Sequence, residues 1–153
     1  MTSVVERLEA AGLRLPQPNP PNGVYVPFTR AGSLVFLAGA TPMRDGELLF
    51  PGTVGASLSL EDGKQAAAVC ALNLLANLGL ACDSDFGRVR AVKVNGYVRC
   101  SPDFTQQPRV IDGASEIFRL ALGERGDHAR AAVGVLCLPR GACVEVEAIF
   151  EMI

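Results

Sequence analysis

Apolar and polar positions recur along this chain with two different periods, and the switches between them mark out its elements. From Ser3 to Ala11, Val4, Leu8 and Ala11 share one helical stripe and Gly12 follows, which predicts a short amphipathic helix. The stretch from Pro16 to Pro21 cannot continue a regular element, because proline lacks the amide hydrogen and locks φ. From Val24 to Leu37 β-branched and aromatic residues dominate. The break at Thr29–Ser33, containing Gly32, divides this run into two strands of a hairpin. A third short strand is expected at Glu47–Phe50.

The helical period returns at Leu60 and holds to Leu78. Ser59 precedes it as a cap, Asp62 occupies the capping-box position, and Gly79 reads as the stop. Its polar positions Asp62, Gln65, Asn73 and Asn77 form a narrow stripe, so most of the helix circumference must be covered. Val89–Arg99 alternates, with Val92, Val94 and Val98 on one face and Lys93, Asn95, Tyr97 and Arg99 on the other. A further helix is predicted over Pro108–Gly123, with Val110, Ala114, Ile117, Phe118 and Ala121 as its apolar stripe. Two strands follow, Ala129–Leu138 and Cys143–Met152, read as a hairpin closed by Pro139–Ala142.

The order hairpin, helix, strand, helix, hairpin implies an α+β fold, a two-layer sandwich with its helices on one face of the sheet. The strand from Ala131 to Leu138 is apolar or glycine at every position, so both of its faces are expected to be buried. The face away from the helices then needs a partner. Composition agrees: 49% of residues are apolar against 20% charged, more core material than a charge-rich monomer carries. At 153 residues, 1–153 reads as one domain, with 1–22 as an N-terminal helix and proline-rich extension.

Charge narrows the function classes. With 14 basic and 16 acidic residues the net charge is −2, and no basic run tracks a polyphosphate, which argues against nucleic-acid binding. The longest apolar run, Ala66–Leu72, is interrupted by Asn73 and then Asn77, so no membrane span is expected. Glu6 and Glu9 stand where a secretory signal would need a cationic flank and an apolar block, and a cytoplasmic setting is expected. Cys70, Cys82, Cys100, Cys137 and Cys143 include no C-x-x-C pair, and a single His cannot complete a common zinc site with them. They read as small buried hydrophobes, and neither a metal nor a cofactor is expected. Phosphate-loop, dinucleotide, zinc-protease and hydrolase-elbow motifs are lacking, Gly63-Lys64 follows no phosphate loop, and His128 reads as a solvated side chain.

Ions enter a strongly apolar frame in the last two strands. Arg130 opens a strand that is otherwise uncharged, where a guanidinium can grip a carboxylate through two parallel hydrogen bonds. Glu145 and Glu147 alternate with Val144, Val146 and Ala148, so both carboxylates share the face opposite the apolar stripe. Edge ion pairs and solvated charges produce the same pattern.

Arg130-Ala131-Ala132-Val133, then Leu138-Pro139, then Val144-Glu145-Val146-Glu147-Ala148-Ile149 resembles the C-terminal signature of the YjgF/RidA family, also catalogued as L-PSP endoribonucleases or translation inhibitors. Gly23-Val24-Tyr25-Val26 is similar to the family's G-P-Y segment, Ala38-Gly39-Ala40-Thr41-Pro42 to its S-G-Q-x-P turn, and Asp112–Phe118 to its N-x-x-Y-E-x-F helix start. The resemblance implies a chorismate-mutase-like fold, a homotrimer with ligand clefts between subunits, and hydrolysis of 2-aminoacrylate-type enamines and imines to 2-keto acids and ammonia. It implies that Arg130 grips the substrate carboxylate, that Glu145 orients water or moves protons, and that Tyr25, Gly39 and Asp112 line the cleft. Ala131 and Ala132 replace the family's Ser and Cys, Ala38 and Ala40 its Ser and Gln, and Asp112 stands where Asn is common. An Asp beside Arg130 would compete for the guanidinium.

Two other readings follow from the same residues. One is a non-catalytic binding protein for small carboxylate metabolites. The other is the ribonuclease or translation inhibitor of the catalogue names, which the acidic balance and the absence of Trp disfavour. Pairing the last two strands across a four-residue loop sets Leu136 opposite Glu145 and leaves Arg130 about six residues, on the order of 20 Å, along the strand. One site could then use both residues only if they came from different subunits.

Overall fold

A computed structural model describes residues 3–153. Helix α1 (Val4–Ala10) begins with a reciprocal capping box, in which Ser3 Oγ accepts the Glu6 N–H and the Glu6 carboxylate accepts the Ser3 N–H. Its buried residues are Val4 and Leu8, as the stripe predicts, whereas Ala11, expected on the same stripe, is the exposed C-cap. Leu13 and Leu15 also pack on the core before the proline stretch.

The sheet begins at Phe28. Strands β1 (Phe28–Ala31) and β2 (Leu34–Ala40) form the expected hairpin, turning tightly where Gly32 takes φ +60°. Val24–Val26, expected in the first strand, lies outside the sheet and is exposed. Pro27 separates it from β1: it has no N–H to donate, and its carbonyl instead accepts from Ala38. The expected third strand reduces to Glu47–Leu48 (β4), which pairs only with Met43–Arg44 (β3) in a separate ribbon.

Helix α2 (Leu60–Ala81) carries a second reciprocal capping box, Ser59 with Asp62. It is long and apolar enough to cross a membrane, but Leu74, Leu75 and Leu78 are wholly inaccessible within the protein core. Gly79 does not stop it. A Cβ there would lie 3.3 Å from the Phe86 ring, so the glycine admits that ring, and the chain turns away at Asp83 and Ser84 in left-handed conformation. Asn73 is buried because its amide donates to the carbonyls of Thr41 and Met43, tying α2 to the end of β2.

Strand β5 (Val89–Arg99) precedes helix α3 (Gln107–Leu122), strand β6 (Ala129–Val135) and strand β7 (Val144–Met152). The main sheet has the order β1-β2-β7-β5-β6, with β5 and β6 parallel and its other neighbours antiparallel. Val92, expected on the buried face with Val94, falls at a bulge. Val89 and Ala91 face the helices before it, and Val94 and Val98 do so after it.

The last two strands are not a hairpin. β6 returns beside β5 through the α3 crossover, and β7 pairs on the other side of β5. Leu136–Cys143 is the connection between them, bent by a turn at Pro139–Gly141 in which Arg140 has φ +60°. Leu136 therefore does not face Glu145; Tyr97 does. Nor is β6 covered on both faces within the chain. It is an edge strand, with Val133 exposed beside Leu136, which is 93% exposed.

Both long helices lie on one face of the sheet, giving the two-layer α+β sandwich. They cross so closely that a Cβ on Gly113 would collide with the Lys64 carbonyl, which accounts for Gly63-Lys64 as a helix contact. Phe118 of α3 meets Phe150 of β7 edge to face, ring centroids 5.5 Å apart, at the centre of the core.

Candidate functional site

Alternation along β7 places Glu145 and Glu147 on the helix-free face, while Val144, Val146 and Ala148 face the core. Glu145 sits opposite Tyr97 of β5 and is half-buried against Gly39 of β2, where the β2–β7 register shifts. A Cβ on Gly39 would lie 3.2 Å from the Glu145 carboxyl carbon and closer still to Oε1. Glycine is thus the residue that lets this carboxyl lie down on the strand. Burial pushes the Glu145 carboxyl up from its ordinary value, and the neighbouring Glu147 charge adds to the rise.

Glu147 is held differently. Its Oε1 accepts from Asn95 Nδ2 at 3.0 Å and from the Tyr97 hydroxyl at 2.7 Å. That bond to Glu147, reinforced by burial, pushes Tyr97 up to about 12, so the phenol stays a donor. Beside Glu147 a depression of about 180 Å³ is walled by Phe36, Lys93, Asn95 and Ile149.

Arg130 lies on the opposite face. It pairs with Val94 in the parallel β5–β6 ladder and reaches toward α3. Its Nη1 donates to Asp112 Oδ1 at 2.8 Å and to Ser115 Oγ at 3.1 Å, and its Nη2 donates to the Pro108 carbonyl at 3.1 Å. The competing Asp112 contact expected from the sequence is therefore present as an ion pair. Within one chain Arg130 and Glu145 cannot face one small molecule. The reason is the intervening sheet, not the hairpin register.

His128 is not merely solvated. It is half-buried, its ring edge-on to Phe118, with Nδ1 2.7 Å from the Gly126 carbonyl and Nε2 2.9 Å from Ser115 Oγ. A carbonyl can only accept, so Nδ1 carries the proton and Nε2 accepts from the Ser115 hydroxyl. Burial lowers the His128 pKa, the Arg130 charge adds to this, and the Gly126 bond opposes it. Asp112, Ser115, Arg119, Asp127, His128 and Arg130 line an open groove of about 560 Å³.

Tyr25 stands apart from both clusters. It is exposed on the extension before β1, its hydroxyl accepting the Asn22 N–H. Of the cysteines, Cys70, Cys82 and Cys143 are buried, and burial pushes the Cys143 thiol up to about 11. Cys137 is exposed, contrary to the expectation of burial, because it lies beyond the end of β6 in the connection to β7.

A family model described as "YjgF/chorismate_mutase-like, putative endoribonuclease" matches residues 5–150. The chain belongs to this family. Protein TCP17 of Trypanosoma cruzi is 40% identical over 151 residues, covering 97% of this chain and 94% of its own. A crystal structure of an Agrobacterium tumefaciens protein of unknown function superposes with a TM-score of 0.92 at 40% identity, covering 98% of this chain and 92% of that one. A Shewanella oneidensis protein described as a putative endoribonuclease superposes with a TM-score of 0.94 at 29% identity, covering 98% and 99% of the two chains. This YjgF-family chain also carries at its two clusters Asn95, Tyr97 and His128, to which the sequence assigns no site role, and Ser115, which it does not single out. The β5 alternation put Asn95 and Tyr97 on the right face. Nothing local linked Ser115 in mid-helix to His128 beyond the next turn.

Proposed function

We propose that the protein hydrolyses 2-aminoacrylate-type enamines and imines to 2-keto acids and ammonia, in clefts between the subunits of a cytoplasmic homotrimer. Arg130 of one subunit holds the substrate carboxylate, and Glu145 of the partner subunit orients the attacking water. The observation that carries this reading is the separation of the two groups: each is half-buried, Arg130 is held by Asp112, Ser115 and the Pro108 carbonyl, and the two stand on opposite faces of one sheet. Among the described residues, Arg130 Nε–H has no hydrogen-bond partner and remains available to a carboxylate. The exposed Val133 of the β6 edge and Leu136 just beyond it, with Phe36 of β2, offer the apolar surface that a subunit contact would cover. Tyr25, on its exposed arm, packs against the substrate in the same cleft.

The test is the decay of 2-iminopropionate, generated in situ by an amino-acid oxidase. Micromolar protein should accelerate it, and Arg130→Ala should abolish most of the effect. An unchanged decay rate refutes the reading, and a monomer in light scattering refutes the inter-subunit cleft.

The Arg130–Asp112 ion pair favours a second reading, a non-catalytic receptor for a small carboxylate, since part of the guanidinium charge is already neutralised. That receptor would gain melting temperature with 2-ketobutyrate and show no turnover. The ribonuclease of the family's description has no basic stripe to hold a polyphosphate here, and any such activity should separate from the protein on a further column.

A further inference from the structure

The groove around Arg130 contains an arrangement that the function proposed above does not use. Ser115 Oγ is at once an acceptor from Arg130 Nη1 and 2.9 Å from His128 Nε2, and the imidazole is oriented by the Gly126 carbonyl on its other nitrogen. A hydroxyl, a base bonded to it and a group that fixes the base's tautomer form the set that proton transfer requires. A carboxylate held by Arg130 would share the groove with Ser115 and His128, whereas the same chain's Glu145 lies on the other face of the sheet.

We propose that Ser115 and His128 form the proton relay of the reaction anchored at Arg130: Ser115 takes a proton from the water that Glu145 of the partner subunit orients, and His128 holds it. The inference rests on imine hydrolysis being the activity. A water O–H proton passes to Ser115 Oγ as the Ser115 proton moves to His128 Nε2. The water oxygen bonds to the iminium carbon, and the C=N π pair withdraws onto nitrogen. The imidazolium returns its proton through Ser115 to that nitrogen in the tetrahedral carbinolamine. The C–N bond then breaks as the hydroxyl oxygen closes to C=O, and the hydroxyl proton leaves with ammonia as ammonium. Iminium and water thus become 2-keto acid and ammonium, with His128 neutral again.

The charged and titratable groups facing His128 are Asp112, Glu116 and Arg119 from α3, with Asp127 and Arg130 on its own segment. Burial lowers the His128 pKa against the opposing Gly126 bond and Asp127 charge, with the Arg130 cation adding to the fall, which favours the neutral ring able to accept a proton.

Imine decay is measured against pH for wild type, Ser115→Ala, His128→Asn and His128→Ala, with 2-ketobutyrate-induced thermal shift as the binding readout. His128→Asn retains an amide donor for the Gly126 carbonyl and guards against simple unfolding. In wild type the rate should rise with pH through one ionisation below the ordinary histidine value of about 6.5. Both Ser115→Ala and His128→Asn should lose at least about a hundredfold in kcat, lack that limb and still bind 2-ketobutyrate. Added imidazole should partly rescue His128→Ala. Active wild type with variants that keep both rate and limb overturns the relay alone. Inactive wild type overturns the hydrolase reading and the relay with it.

Discussion

The Arg130–Asp112 pair makes a quantitative claim about ligand affinity. Asp112 lies 2.8 Å from Nη1, so a carboxylate gripping the remaining donors of the same guanidinium comes within roughly 6 Å of the Asp112 charge. Two unit charges at that separation repel by about 0.7 kcal/mol at a water-like dielectric and by about 3 kcal/mol at an effective value near 20. The Asp112 side chain is 47% exposed, which favours the lower figure. Asp112→Asn keeps an oxygen for Nη1 while removing the charge. It should tighten 2-ketobutyrate binding by about 0.7 kcal/mol, or about threefold, and cost at most about 1 kcal/mol of stability from the lost pair. Isothermal titration calorimetry at pH 7 and low salt measures the affinity, and the gain should shrink in 0.5 M salt as screening rises. A folded Asp112→Asn protein that binds no more tightly than wild type would refute the claim that Asp112 opposes carboxylate capture.

Other consequences concern stability and titration. Glu145 is raised in the folded state, so the stability from its extra proton is complete below the unfolded carboxyl value and is lost as pH rises through the folded one. Glu145→Gln should therefore raise the melting temperature at neutral pH, by a margin that vanishes in acid, as a pH series of thermal melts will record. Gly113→Ala forces a methyl group onto the Lys64 carbonyl and should cost about 1–3 kcal/mol by separating α2 from α3, read as a lower urea midpoint. In Tyr25→Phe protein the remaining tyrosine should ionise near 12 in an ultraviolet titration, and Glu147→Gln should bring that value down.

Local signals gave the helices and their starts because those signals act locally. Both serine capping boxes are satisfied by a residue three positions away, and the α3 stripe from Val110 to Ala121 is buried as its spacing requires. Gly79 reads as the end of α2, yet the helix continues to Ala81. The same lack of a side chain that ends helices also lets the Phe86 ring approach, and only packing distinguishes the two uses. Val92 leaves the buried face on which its alternation places it because a bulge shifts a pattern that the residues themselves continue.

Sequence alone determined that this is an α+β sandwich, which residues of β7 share a face, and that Arg130 and Glu145 are ions in an apolar frame, since periodicity and composition are properties of neighbours along the chain. Only the tertiary structure decided that β6 lies parallel to β5 and away from β7, that Arg130 and Glu145 occupy opposite faces, and that Ser115, His128, Arg130 and Asp112 meet. A strand's pattern says which of its faces is buried and nothing about which strand lies beside it. That choice belongs to the α3 crossover, whose handedness and packing return the chain to the far edge of the sheet.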